Sequence, residues 1–225
     1  MDLKNTVFNL NSVPVFVTEL SEDEKISYDD YKTLTQLPMS KREDEKTFST
    51  MLSDSSQILE HPALSKLKST KLKYIDHYVK NILGCSNKLI MTSSWLTMNQ
   101  NGSVHERHSH GNVILSSVLY FSENLIDINL APFYISQKGL SNVFKSFQFQ
   151  YDIENYNEYN STNLSLTPKT NTLIIFPGWM LHGSEPQQSR QKRYCIGSNY
   201  FLNDTVGTGY HSLSVSAKII DTSIK

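Results

Sequence analysis

From residue 88 onward the apolar residues recur with period two, in short runs cut by turn formers. That pattern restricts the chain to a sheet-rich fold. The runs are 88–98 (KLIMTSSWLTM), 113–122 (VILSSVLYFS), 126–135, 145–151, 164–167, 172–177 and 193–202 (RYCIGSNYFL), separated by Asn, Gly, Pro and Ser. A weaker alternation over 5–18 predicts an opening strand, and the polar stretch 20–55 reads as loop and short helix. Residues 152–163 are Asn-rich and read as a loop, and the tail after 203 shows no pattern.

Between these regions the period changes. Leu64, Leu67, Tyr74, Ile75, Tyr78, Val79, Ile82 and Leu83 recur at helical spacing over 55–83, with Pro62 suited to a first turn and Gly84 to an end. Lys66, Lys68, Lys71, Lys73 and Lys80 surround them and read as a solvated face. Many short strands beside one long helix predict a mostly β, α+β protein: a jelly roll, cupin-like, with a long covering helix. The expected organisation is one domain, with 1–85 carrying the first strand and covering helices, 86–203 the jelly-roll core and 204–225 a tail.

Composition narrows the function. The formal net charge of the 225 residues is -1, which gives no global electrostatic case for nucleic acid or an anionic membrane surface. No apolar run reaches the roughly 18 residues of a membrane span, and the N-terminus lacks the form of a secretory signal. The two cysteines, Cys85 and Cys195, have no framework spacing. These features predict a cytoplasmic protein.

The histidines carry the chemistry. His105, His108 and His110 fall within HERHSHGN, just before a strong strand. On a strand, residues two apart point the same way, so His108 and His110 can aim at one point, whereas His105 belongs to the other face. A fourth, His182, ends the apolar run Ile174 to Leu181, where a buried polar group needs a partner. A metal would satisfy it, and so would a backbone carbonyl. Imidazole suits Fe, Zn, Cu and Ni. Ten residues then separate His182 from Arg193. Arg193 opens a strand whose residues 193, 195, 197 and 199 share one lean face, leaving room for a guanidinium to take a carboxylate through two parallel bonds. His61, His77 and His211 form no constellation. Trp95, Trp179 and Tyr120 read first as core.

Together these residues resemble the Fe(II)/2-oxoglutarate dioxygenase superfamily, and within it the 2OG-Fe(II) oxygenases found in marine bacteria and cyanophages. The counterparts are Trp95, His108-Ser109-His110, Ser116 to Tyr120, Phe176 to His182, and Arg193 with Ser198-Asn199, over roughly 90–202. The resemblance implies a double-stranded β-helix with iron on His108, His110 and His182. It implies 2-oxoglutarate on Arg193 with Tyr120, Cys195 and Asn199 nearby, O2 as the oxidant, and succinate as the co-product of hydroxylating a small molecule or peptide. If phage-encoded, such a protein works in the host cytoplasm.

Three positions depart from the pattern. His110 stands where an acid completes the usual two-His, one-carboxylate triad, so either both members of the pair bind with His182, or one binds and water fills the gap. Ser117 replaces a Gly, and Cys195 a Ser. Two other readings fit the residues: a cupin-type metalloenzyme with three histidines and no use for Arg193, and a jelly-roll binding module with no metal. An exposed sheet edge would allow a homodimer.

Overall fold

The computed structural model describes residues 13–41, 50–136, 154–155, 161 and 163–219. Two antiparallel sheets face each other. The larger has seven strands in the order β1 (Phe16–Glu19), β9 (Thr172–Pro177), β6 (Leu115–Ser122), β11 (Arg193–Leu202), β4 (Leu89–Asn99), β3 (Met51–Ser53) and β2 (Met39–Lys41). The smaller runs β5 (His105–His108), β10 (Leu181–Ser184), β7 (Phe133–Ser136) and β8 (Asn163–Leu166). A separate pair, β12 (Asp204–Val206) and β13 (Leu213–Val215), lies in the tail where the sequence showed no pattern. The jelly roll expected from the strand pattern is present.

Period two in the large sheet sends alternate residues to two cores. Leu115, Leu119, Phe121, Tyr194 and Ile196 turn outward to the helices. Tyr120, Ile174 and Phe176 turn inward to meet Phe133 and Ile135 of the small sheet. The inner cluster is the floor of the site described below.

Four expectations need correcting. The long helix is broken up: two 3-10 turns at Ile58–Glu60 and Pro62–Leu64 lead into an α-helix over Ser65–His77, and a π-turn over Tyr78–Ile82 closes it. Gly84, at φ 67°, ends it in the left-handed conformation that favours glycine. The stretch 20–55 holds the expected short helix and, beyond it, two strands. A helix over Tyr28–Thr35 starts on a capping box in which Ser27 and Asp30 satisfy each other's backbone N–H groups, and β2 and β3 extend the large sheet. The strand expected at 126–135 forms only over Phe133–Ser136, because Asn124 and Leu125 both adopt φ 56° and turn the chain. The opening strand is seen from Phe16 onward. Residues 1–12, and the strand expected at 145–151, lie outside the described residues. No helix among the described residues is long and apolar enough to cross a membrane.

The fourth correction is Lys71. It is not on a solvated face but fully buried, its ammonium donating to the Ile196 carbonyl at 2.8 Å. Burial pushes its pKa from 10.5 down to about 7. The folded value lies below the unfolded one, so there is no penalty above pH 10.5; the penalty grows as pH falls to about 7 and is complete below that. Lys71→Met is therefore expected to stabilise the fold by about 1–4 kcal/mol at neutral pH. Urea denaturation at pH 6.5 and at pH 10.5 checks it: the gain should shrink at the higher pH.

Candidate functional site

The site grows from the small sheet. His182 on β10 stands directly across from His108 on β5. Beyond β5, the backbone N–H of His110 donates to the Gly178 carbonyl at 2.9 Å, and Gly178 N–H donates to Ile114 at 3.0 Å. The Pro177-Gly178 turn therefore holds His110 beside His182. A side chain at 178 would collide with Val113, which gives the turn its need for glycine. The ring centroids lie 5.1 Å (His108 to His110), 4.3 Å (His108 to His182) and 5.0 Å (His110 to His182) apart. One nitrogen from each ring can be chosen so that all three fall within 4.8 Å of one another.

Each ring has a partner at Nδ1. His108 Nδ1 lies 2.8 Å from the Glu106 carbonyl and His182 Nδ1 lies 3.0 Å from the Met180 carbonyl. His110 Nδ1 lies 2.6 Å from Asn199 Oδ1. A carbonyl only accepts, so His108 and His182 carry their proton on Nδ1 and leave Nε2 bare. Burial, reinforced by the nearby His108, pushes the His182 pKa down to about 3, and burial likewise lowers His110. His110 and His182 are therefore neutral at physiological pH, the form that binds metals. Three converging imidazole nitrogens fit a divalent transition metal. Glu106 is exposed, so no acid from this segment joins them.

His105 breaks the expected alternation. A bulge between β5 and β10 sets His108 opposite His182 but His105 opposite Ser184, three steps against two. The extra residue turns His105 onto the cavity wall, with its ring 4.6 Å from that of His108.

At the far end of the cavity lies Arg193, 1% exposed. Its Nη2 donates to Ser184 Oγ at 2.9 Å and its Nη1 to the Ala131 carbonyl at 3.4 Å, while buried Nε has no partner. No ion pair among the described residues involves it. A buried guanidinium without a counter-charge is costly unless an anion arrives. Tyr120 lies under it, with the guanidinium carbon 6.0 Å from the ring centroid. Cys195 also faces the cavity, its thiol pKa raised by burial. Asn199 shares that strand face but spends its side-chain oxygen on His110 and on Ser116. Ser117 turns its hydroxyl to Tyr200, at 2.9 Å.

The cavity holds about 460 Å³ of atom-free space, open solvent at its mouth included. Trp95 and Tyr120 line it rather than the core alone, while Trp179 is 43% exposed. Thr97 and Ser184 also line it and went unread in the sequence. Each lies two residues from a recognised position, Trp95 and His182, and period two would have found both. A β-carbon on Gly197 would run into the Trp95 indole, with Nε1 2.8 Å away. Gly197→Ala is therefore expected to displace Trp95, lower co-substrate turnover and cost about 1–3 kcal/mol of stability by overpacking. Chemical denaturation and a turnover assay on the same variant test it.

Residues 93–199 match the family model described as "Putative 2OG-Fe(II) oxygenase". No curated protein matches the chain at the sequence level. Among solved structures it is similar to the non-heme α-ketoglutarate-dependent epimerase SnoN from nogalamycin biosynthesis, with TM-score 0.61 and 10% identity over 86% of this chain and 80% of that one. It is also similar to HygX from Streptomyces hygroscopicus, solved with nickel and 2-oxoglutarate, with TM-score 0.56 and 12% identity over 84% and 83%. A Pseudomonas putida prolyl-4-hydroxylase matches with TM-score 0.55 and 10% identity over 84% and 92%. At such identities these structures speak to the fold, a double-stranded β-helix. The family match spans both histidine segments and Arg193, so over residues 93–199 the chain is similar to the 2OG-Fe(II) oxygenases, oxidoreductases that use Fe(II), 2-oxoglutarate and O2.

Proposed function

We propose that His108, His110 and His182 together hold Fe(II), that Arg193 takes the distal carboxylate of 2-oxoglutarate, and that the chain hydroxylates a C–H bond of a separate substrate. The balance is substrate, O2 and 2-oxoglutarate in, hydroxylated substrate, succinate and CO2 out. The observation that carries this reading is Arg193, a buried cation without an anionic partner among the described residues, facing the cavity whose other end gathers three imidazoles.

When bound, the iron supplies the redox chemistry that lets O2 react with 2-oxoglutarate and then with a C–H bond. The chain's own residues do the rest. Ser184 holds the guanidinium by one Nη and leaves Nε free for a carboxylate. Tyr120 and Cys195, with Thr97, form the wall beside it. Phe133, Phe176 and Val118 line the cavity with apolar surface, which helps keep water out and strengthens an ion pair formed within it. A binding module would gain nothing from a buried guanidinium that lacks its counter-ion, and a three-histidine enzyme of another kind would not need one.

We propose a small molecule or a peptide as the substrate, since the charge balance offers nothing to a polyanion, and a cytoplasmic setting, in keeping with free Cys85 and Cys195. Purified protein supplied with Fe(II), ascorbate and 2-oxoglutarate should form succinate in air. Calorimetry under anaerobic conditions should show 2-oxoglutarate binding only when metal is present. No binding of either ligand would overturn the reading.

A further inference from the structure

We infer that Asn199 is a positioning residue that sets the proton on His110: its side-chain carbonyl holds His110 in the Nδ1–H form and leaves Nε2 bare toward His108 and His182. The use to which that nitrogen is put rests on the iron-binding reading above. The placement of the proton does not.

The three rings are not held alike. His108 and His182 lean on backbone carbonyls, which can only accept, and their tautomers follow from that. His110 leans on a side-chain amide, which can offer either an oxygen or an NH2. With the oxygen toward the ring, Nδ1 carries the proton and Nε2 is a ligand. With the NH2 toward it, the proton moves to Nε2 and the third nitrogen of the cluster is lost. The orientation of one amide thus decides whether the position where an acid would usually stand offers a ligand at all.

The surroundings are built to hold that amide. Asn199 pairs directly with Ser116 across the β11–β6 ladder, and the Ser116 hydroxyl donates to the same Oδ1 at 2.8 Å. On its other side the β11–β4 ladder carries a bulge: Asn199 faces Ser93 and Tyr200 faces Met91, leaving Thr92 as the extra residue. Thr92 Oγ1 donates to the Asn199 backbone carbonyl at 3.3 Å. Bulges recur beside active sites, and this one sets the extra residue of β4, Thr92, against Asn199. An acceptor behind a ligating imidazole also makes it a stronger donor, which matters in a donor set without a carboxylate.

The test compares Asn199→Leu and Asn199→Asp with the wild type. Leucine keeps the bulk and removes the acceptor; aspartate can only accept. In metal-free, 15N-histidine-labelled protein near pH 8, long-range 1H–15N correlations should show Nδ1–H for all three rings in the wild type and in Asn199→Asp. His110 of Asn199→Leu should shift toward Nε2–H. Titrated with Ni(II), Asn199→Leu should bind roughly 10–100-fold more weakly, and Asn199→Asp as tightly as the wild type or more so. A wild-type His110 protonated at Nε2 would overturn the inference. So would an Asn199→Leu variant with unchanged tautomer and affinity, or loss of the Nδ1–H form in both variants alike. A wild type that shows Nδ1–H at His110 yet binds no metal would uphold the inference and overturn the iron-binding reading.

Discussion

Arg193→Met should weaken 2-oxoglutarate binding by at least thirtyfold while making the ligand-free protein more stable. Both effects come from one guanidinium. It is 1% exposed, bonded to Ser184 and Ala131, and unpartnered at Nε. Removing one member of a buried, hydrogen-bonded charge pair costs about 2–5 kcal/mol, which is thirtyfold or more in dissociation constant. Without co-substrate the same charge is a liability, and an apolar side chain of similar length relieves it. With metal supplied, saturating 2-oxoglutarate at about 100 times its dissociation constant should stabilise the wild type by about 2.7 kcal/mol and leave Arg193→Met nearly unmoved. Thermal denaturation with and without 2-oxoglutarate reads both signs at once. A variant that is less stable without ligand and binds as well as the wild type would show that Arg193 is structural.

His182→Ala should reduce substrate oxidation to background and weaken metal binding by on the order of 10²–10³-fold, one ligand's share of the ~10 kcal/mol or more that such sites supply. It should also change acid sensitivity in a direction that simple damage would not. The His182 pKa is about 3 in the fold against 6.5 in the open chain, because burial opposes the charged ring. A base with a lowered folded pKa contributes stability that is complete above 6.5 and is lost as pH falls toward 3. Metal-free wild type should therefore lose stability across that interval, and metal-free His182→Ala should lose less of it. Denaturation curves at pH 7 and pH 4.5, with a chelator present, measure the difference.

The parts of this site that could be read from the chain share one trait: each ends or opens a long apolar or alternating run. His182 closes the run from Ile174, Arg193 opens the ten-residue β11, and His108 precedes β6. Local pattern was enough to place them at strand ends, where a jelly roll gathers its site. The strands β2 and β3, three residues each, carry no period and exist only because β4 offers them an edge. Lys71 looked like one lysine among five on a helix surface; the face that ended up buried was decided by the sheet beneath. Asn199 could be placed on the cavity face of β11, but its partner lies 89 residues away.

By itself the sequence determined the element types, the residue classes that could bind a metal or a carboxylate, and their spacing along the chain, because these follow from periodicity and side-chain chemistry over a few residues. The tertiary structure decided which of those groups meet and what each presents. One extra residue in a ladder turns every following side chain to the other face. The bulge on β5 brings His105 to the cavity, and the bulge on β4 sets Thr92 against Asn199. Such slips are settled by the pairing of distant strands, where no local pattern records them.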